Sequence, residues 1–246
     1  LKLFEKNQQN DIFKNYLKEN LNQLNISGTL SLDYTRDIGT PDRYKREIKI
    51  YKNEIKKPYK VAFLDRDGTL IQDQGNECNP KKISFNKEII EVMKFLQCEN
   101  FKTILITNQP GIAKGFFNQE KLDIFHAELQ NGLINLGLKP LDDIYFCPHH
   151  PDKGYKNEIK KLKIKCKCRK PGTGMVKNAI HDHNLKYSKF IYIGDSKEDY
   201  LLSVELGIPF YNFLSNLTDQ QYFNENEVKT YNKGGEIINK IRTSNI

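Results

Sequence analysis

At 246 residues, the chain has room for one large domain, or for one domain and a fragment of a second. Its apolar share of 38% is enough for a packed core built largely on tyrosine and phenylalanine, while its longest apolar runs, VAFL and TILI, are strand-sized and too short to span a membrane. The formal charge of +8 is most simply a lysine-rich surface; in its sharper meaning it points to an anionic partner, a sugar phosphate or a nucleic acid.

The chain opens with polar LKLFEKNQQN, which has no export-signal pattern and no initiator methionine, so a piece of a longer, cytoplasmic protein is expected. Residues 1–57 form a first segment. NDIFKNYLKENLNQL has helical spacing, GTLSLDYTRDIGTPDRYKREI follows, and Gly39-Thr40-Pro41 sets a turn before a charged helix. Lys56, Lys57 and Pro58 mark the junction with a second segment, 58–246.

From Val61 strands and helices alternate. VAFLD is a buried-strand run ending in a carboxylate, and NKEIIEVMKFLQCEN places Ile89, Ile90, Met93 and Leu96 at helical spacing. TILIT is a second strand, NQEKLDIFHAELQNGLINLG a long amphipathic helix, and DIYF a third strand. A cysteine-bearing loop and the helix MVKNAIHDHN follow, then the strand FIYIGD, the helix KEDYLLSVELG ending at Gly207, and the strand IPFYN. The polar tail from Leu214 closes with EIINKI, a short helix expected to pack on the sheet.

This alternation predicts an α/β fold, a Rossmann-like parallel sheet with helices on both faces. Such folds build their sites at the carboxyl ends of the strands, where Asp65, Thr107, Cys147 and Asp195 fall. No segment between the first two strands is long enough for a large cap domain, so the cysteine loop is the one insertion expected over the site.

DRDGTL puts Asp65 and Asp67 two residues apart directly after a buried strand, with Gly68 for the tight turn. One carboxylate can attack a phosphorus while the other shuttles protons to the leaving oxygen. Attack on an anionic phosphate needs a hard divalent cation between the charges, with Asp195 as the expected further oxygen ligand. Thr107 can hydrogen-bond the phosphoryl oxygens and Lys170 can neutralise them. The short DxDGT motif alone would equally suit a surface turn or a calcium-type loop.

The segments DRDGTL, TNQPGIAKG, CRKP and GDSKED, spread over residues 59–213, resemble the four motifs of the haloacid-dehalogenase-like phosphohydrolase superfamily. The resemblance implies that Asp65 forms an aspartyl-phosphate and Asp67 is the general acid/base. It also implies that Mg²⁺ is held by Asp65, the main-chain carbonyl of Asp67, and Asp195, with Asp199 orienting Lys170.

Cys147-x-His149, then sixteen residues, then Cys166-x-Cys168 gives four soft ligands in two close pairs, the donor set of a closed structural Zn²⁺ site. A chance cluster of thiols is the alternative. Lys165, Lys167 and Arg169 would offset the negative charge of three thiolates, and the metal would pin a loop ending in Arg169-Lys170. Cys78 and Cys98 fall outside this set, and Cys98, on a helix, is expected in the core.

With this loop, CPHHP and CKCRKPGTGM added to the other motifs resemble the D-glycero-D-manno-heptose-1,7-bisphosphate 7-phosphatases. That resemblance prefers His149 over His150 as the fourth ligand. It aligns Asp73, Gln74, Gly75 and Asn76 with a sugar-contacting loop, and Thr107, Asn108, Gln109, Arg169 and Lys170 with phosphate and sugar contacts. It implies removal of the 7-phosphate of a sugar bisphosphate during synthesis of the activated heptose of lipopolysaccharide and other surface glycans. The small-molecule substrate is then the partner, with neither nucleic acid nor membrane, and a monomer is expected. Ser196 departs from the lysine usual after the last motif aspartate, so a substrate contact is lost or moved to Lys197.

LDYTRDIGTPDRYKRE resembles the carboxyl end of a sugar-phosphate nucleotidyltransferase, which would put Asp37 near a sugar and a metal; an ordinary linker with a Gly-Pro turn is the alternative. The resemblance implies that residues 1–57 belong to a nucleotidyltransferase fused to the phosphatase, a multifunctional enzyme. Histidinol-phosphate phosphatases share the aspartates and the zinc loop. Nucleic-acid 3′-phosphatases share DxDGTL and TNQxG, and a zinc-ribbon binding module without catalysis would need only the ligand pairs and the basic run.

Overall fold

The computed structural model describes residues 39–54, 58–186, 188–213 and 219–244. Asp37, Lys56, Lys57 and the helical spacing at 10–24 lie outside the described residues.

The charged helix α1 spans Pro41–Glu54. Pro41 sits in its first turn, and the Thr40 hydroxyl accepts from Arg43 N at 3.3 Å as its N-cap.

Among the described residues six strands make one parallel sheet: β1 (Lys60–Leu64), β2 (Phe101–Asn108), β3 (Asp143–Cys147), β4 (Lys189–Gly194), β5 (Phe210–Phe213) and β6 (Thr230–Tyr231). Their order is β3-β2-β1-β4-β5-β6, the doubly wound arrangement that the alternation predicts. β1 is central, pairing Leu64 with Leu105 on one side and with Ile193 on the other. The strand order reverses between β1 and β4, and a crevice opens beyond their carboxyl ends.

Both faces of the sheet are covered, which is why VAFL is apolar at every position instead of alternating. On one face Ala62, Leu64, Leu105, Ile191 and Ile193 meet α2 (Lys87–Cys98) and α4 (Gln119–Asn135) through Ile89, Met93, Leu96, Leu122, Phe125 and Leu129. On the other, Val61, Phe63, Ile104, Ile106 and Tyr192 meet α5 (Gly174–Asp182) and α6 (Lys197–Leu206) through Met175, Val176, Ala179, Leu202 and Leu206. A single turn, α3 (Gly111–Lys114), follows β2. Asn86, Asn118 and Ser196 cap α2, α4 and α6 with their side chains.

The tail holds more order than its polarity predicts. β6 extends the sheet beyond β5, preceded by α7 (Gln220–Glu225) and followed by α8 (Gly234–Thr243). The helix expected to lie on the sheet packs chiefly against α2, where Glu88 accepts from Gly234 N at 2.7 Å and Ile237 and Ile241 complete that face of the core. Cys98 also departs from expectation: it closes α2 on the side opposite Ile89, Met93 and Leu96 and is exposed. Cys78 is the buried cysteine outside the loop cluster.

Candidate active site

The crevice at the switch point is a cavity of about 730 Å³. Asp65, Asp67, Thr107, Lys170 and Asp195 line it together, although they come from four segments of the chain. The position of each follows from the fold. Asp65 is the first residue after β1, where its N–H still donates to Ile193 O on β4 at 3.0 Å. Asp195 follows β4 in the same way, and Thr107 is the penultimate residue of β2. Gly68 takes φ +84°, the left-handed turn that brings Asp67 back over the crevice.

Lys170 is the cation at the centre. Its Nζ donates to Asp65 Oδ1 at 2.5 Å, to Asp199 Oδ1 at 2.7 Å and to the Ile106 carbonyl at 3.1 Å. Asn108 grips its main chain, accepting from Lys170 N at 3.0 Å and donating to Lys170 O at 3.3 Å. Asp199 is fully buried and accepts from Tyr192 Oη at 2.9 Å and Ser196 Oγ at 2.6 Å as well as from Lys170. This capping box needs Gly194, since a Cβ there would lie 2.7 Å from the Asp199 carboxylate. Thr69 Oγ1 donates to Asp195 Oδ1 at 3.2 Å.

The charge at this centre is unbalanced. Asp65, Asp195 and Asp199 each offer an oxygen within 4.8 Å of the others. Burial, and then the charges of Asp199, Asp195 and Asp67, push the Asp65 carboxyl well above the usual carboxylate range despite Lys170. Burial opposes charge on Lys170 too, but Asp199 and Asp65 outweigh it and raise its pKa. With Asp199 committed to Lys170, Tyr192 and Ser196, the Asp65 and Asp195 oxygens fit a hard divalent cation, which would supply the missing positive charge.

Asp67 is held differently. Arg66 forks its carboxylate, and Gln109 Nε2 donates both to Asp67 Oδ2 at 2.8 Å and to Thr107 Oγ1 at 2.9 Å. Gln109 is buried and does not line the cavity, whereas Asn108 and Arg169 do. In the 73–76 loop, Asp73 lines the cavity and its Oδ1 accepts from Gly75 N at 2.7 Å. Gln74 turns its Oε1 to Asn79 N at 3.0 Å, and Asn76 is exposed outside the lining. Ile71, Gln72 and Asn86, outside the motifs, and Glu198, within GDSKED, complete the walls.

Ser196 lines the cavity and spends its hydroxyl on Asp199. Of the two outcomes expected for the contact of the usual lysine, lost or moved to Lys197, the second would need the Lys197 ammonium to leave its place 4.2 Å above the Tyr222 ring, outside the cavity lining.

Cys147, His149, Cys166 and Cys168 converge beside the crevice. The Sγ atoms and His149 Nδ1 stand 3.1–3.5 Å apart, close to the roughly 3.7 Å edges of a tetrahedron drawn around Zn²⁺. Burial and the neighbouring Cys168 push the Cys147 thiol up. Burial works the same way on Cys166, but hydrogen bonds from Cys168 and Arg169 N hold it below the usual thiol range. His150 faces away, its ring edge-on to Tyr155 at 6.1 Å, with its pKa lowered by burial and by Lys114. The loop is tied to the segment after β2: Gln109 N donates to Cys147 O at 2.8 Å and Ile159 N to Ala113 O at 3.0 Å. The ammonium groups of Lys114 and Lys163 lie over the Tyr155 ring, 5.1 and 4.7 Å from its centroid.

A model of the family described as polynucleotide kinase 3 phosphatase matches residues 60–229. A protein of Thermoplasma acidophilum named as a probable D-glycero-D-manno-heptose-1,7-bisphosphate 7-phosphatase is 34% identical over 152 residues, covering 61% of this chain and 88% of that one. A Haemophilus ducreyi protein named for the β-anomer of that substrate is 35% identical over 149 residues, and a Photorhabdus laumondii protein named for the α-anomer 33% over 150; each pairing covers 61% of this chain and 79% of the relative. Among solved structures, a D,D-heptose 1,7-bisphosphate phosphatase of B. bronchiseptica complexed with magnesium and phosphate has the same fold at a TM-score of 0.61 and 22% identity, covering 74% of this chain and 97% of that one. No helix among the described residues is long and apolar enough to cross a membrane.

Proposed function

Given that this chain belongs to the polynucleotide kinase 3 phosphatase family of haloacid-dehalogenase-like phosphohydrolases, we propose that it removes the 7-phosphate of D-glycero-D-manno-heptose 1,7-bisphosphate. The observation that carries the reaction is the meeting of Asp65, Lys170 and Asp195 at the switch point, with Asp67 two residues from Asp65.

Asp65 attacks phosphorus and forms an aspartyl-phosphate while Asp67 gives a proton to the leaving sugar oxygen. Asp67 then takes a proton from the water that hydrolyses the aspartyl-phosphate, which frees Asp65 and inorganic phosphate. Thr107 and Lys170 hold phosphoryl oxygens, and Asp199 and Asn108 keep Lys170 aimed at them. Asp65, Asp195 and the main-chain carbonyl of Asp67 would hold Mg²⁺, which when bound screens the two anions from each other. Cys147, His149, Cys166 and Cys168 would hold a structural Zn²⁺, which when bound would pin the loop that carries Arg169 and Lys170 to the cavity.

The walls favour a small sugar phosphate over a nucleic acid. Arg169 and Lys170 are the cations of the lining, set among Asp73, Glu198 and the site aspartates, whereas a polynucleotide needs a run of cations along its backbone. We place the reaction in the cytoplasmic supply of activated heptose for surface glycans such as lipopolysaccharide. The DIGTP segment supports a fused nucleotidyltransferase ahead of residue 58, and a longer reading frame lacking a Gly-rich nucleotide loop would refute that fusion.

The test is magnesium-dependent phosphate release from α- and β-heptose 1,7-bisphosphate, histidinol phosphate and a 3′-phosphorylated oligonucleotide, with Asp65→Asn alongside. Release from one heptose anomer, lost in Asp65→Asn, is expected. Release from only the oligonucleotide or histidinol phosphate would overturn the substrate and leave the mechanism standing.

A further inference from the structure

A buried arginine lies between the two aspartates after β1. Arg66 is 4% exposed, and its side chain reaches in two directions. Its Nε donates to Asp67 Oδ1 at 3.0 Å and its Nη2 to Asp67 Oδ2 at 2.9 Å. Nη1 lies 3.2 Å from Nε2 of His126 on α4, and the guanidinium sits 4.6 Å over the neighbouring Phe125 ring. Burial, and then Arg66 itself, lower the His126 pKa to about 4, so at neutral pH the ring is uncharged and Nε2 accepts from the guanidinium.

The bonding of the two Asp67 oxygens is unequal. Oδ2 accepts from Arg66 Nε, Arg66 Nη2 and Gln109 Nε2, while Oδ1 accepts from Arg66 Nε. The carboxylate still lines the cavity, so Oδ1 is its less committed oxygen. Only a planar fork with a third arm can hold both oxygens while being braced from behind, and a lysine cannot do this.

We propose that Arg66, braced by His126 and Phe125, is a positioning residue that fixes the Asp67 carboxylate so that Oδ1 exchanges protons with the reacting oxygens. The inference rests on the phosphatase reading above. Oδ1–H protonates the leaving sugar oxygen as its bond to phosphorus breaks, and the Oδ1 so freed takes a proton from the attacking water.

The test compares two phosphomonoesters, the sugar bisphosphate and p-nitrophenyl phosphate, whose aryl leaving group departs without needing a proton. In Arg66→Ala and Arg66→Lys, kcat/KM on the sugar ester falls at least about tenfold, within the range that general acid catalysis supplies, while the aryl ester loses far less. Guanidinium ion added at sub-denaturing concentration restores part of the Arg66→Ala loss. Equal losses on both esters, or a raised KM at unchanged kcat, would overturn the proposal. His126→Leu, which removes only the brace, shows the same selectivity with a smaller loss and serves where Arg66→Ala does not fold. Wild-type protein inactive on both esters would sink the phosphatase reading; active wild type with unselective losses would sink the role of Arg66 alone.

Discussion

Tyr192→Phe removes one atom from the deepest layer of the site. The Tyr192 side chain is fully buried on β4, and its hydroxyl donates to Asp199 Oδ1 at 2.9 Å, the oxygen that also receives Lys170. Burial, and then Asp199, hold the phenol protonated, so the hydroxyl is always the donor. A buried hydrogen bond to a charged acceptor contributes about 1.5–3 kcal/mol. Asp199 keeps Lys170 and both donors of Ser196, so the expected net loss is the lower part of that range, ~1.5–2 kcal/mol. For a domain of this size that corresponds to a fall in Tm of about 3–8 °C. Urea unfolding in magnesium-free buffer measures it, with the m value unchanged. Ser196→Ala and the double variant complete a cycle whose coupling should be at least ~0.5 kcal/mol, because both hydroxyls serve one carboxylate. A Tyr192→Phe protein within about 0.3 kcal/mol of wild type, or strict additivity with Ser196→Ala, would refute the idea that Asp199 is held by shared donors.

Three further outcomes are expected. Asp65→Asn abolishes turnover yet leaves magnesium-free protein at least as stable as wild type at pH 7. Because the folded pKa of Asp65 is raised, its charge costs stability as pH climbs above the ordinary carboxylate value, so thermal melts should show the variant's advantage shrinking as pH falls toward about 4. Chelation of zinc, or Cys166→Ser, lowers Tm and raises KM by loosening Arg169 and Lys170, as read by melts and kinetics with and without added Zn²⁺. Gly194→Ala forces Asp199 away from the capping box; a loss of about 1–3 kcal/mol is expected in urea unfolding, together with a fall in kcat as Lys170 shifts.

Much of the fold is legible because its signals are local. VAFL and FIYIG are apolar throughout, as strands buried on both faces must be, and Ile89, Met93 and Leu96 keep helical spacing. The aspartates at the ends of β1 and β4 are visible for the same reason, each closing its apolar run. What escapes depends on partners far along the chain. Arg66 meets His126 across sixty residues with no shared motif, and the Lys197 ammonium finds Tyr222. β6 is two residues long, too short for periodicity to register. Cys98 misleads because being in a helix does not say which side it faces; its position ends α2 away from the core stripe.

The central place of β1 sets an order of events during synthesis. Its partner β2 leaves the ribosome soon after it, but β4 follows only once the whole cysteine loop and α5 have been made. A nascent chain that ends before Lys170 already carries Asp65, Asp67 and Thr107, and lacks the ammonium and the Asp195 carboxylate that turn them into a site. Sequence-distant pairing closes late, after local structure has formed. Under the proposed mechanism the half-made chain holds Asp65 and Asp67 without their partners Lys170 and Asp195, and the set is complete only once β4 can pair with the edge of β1.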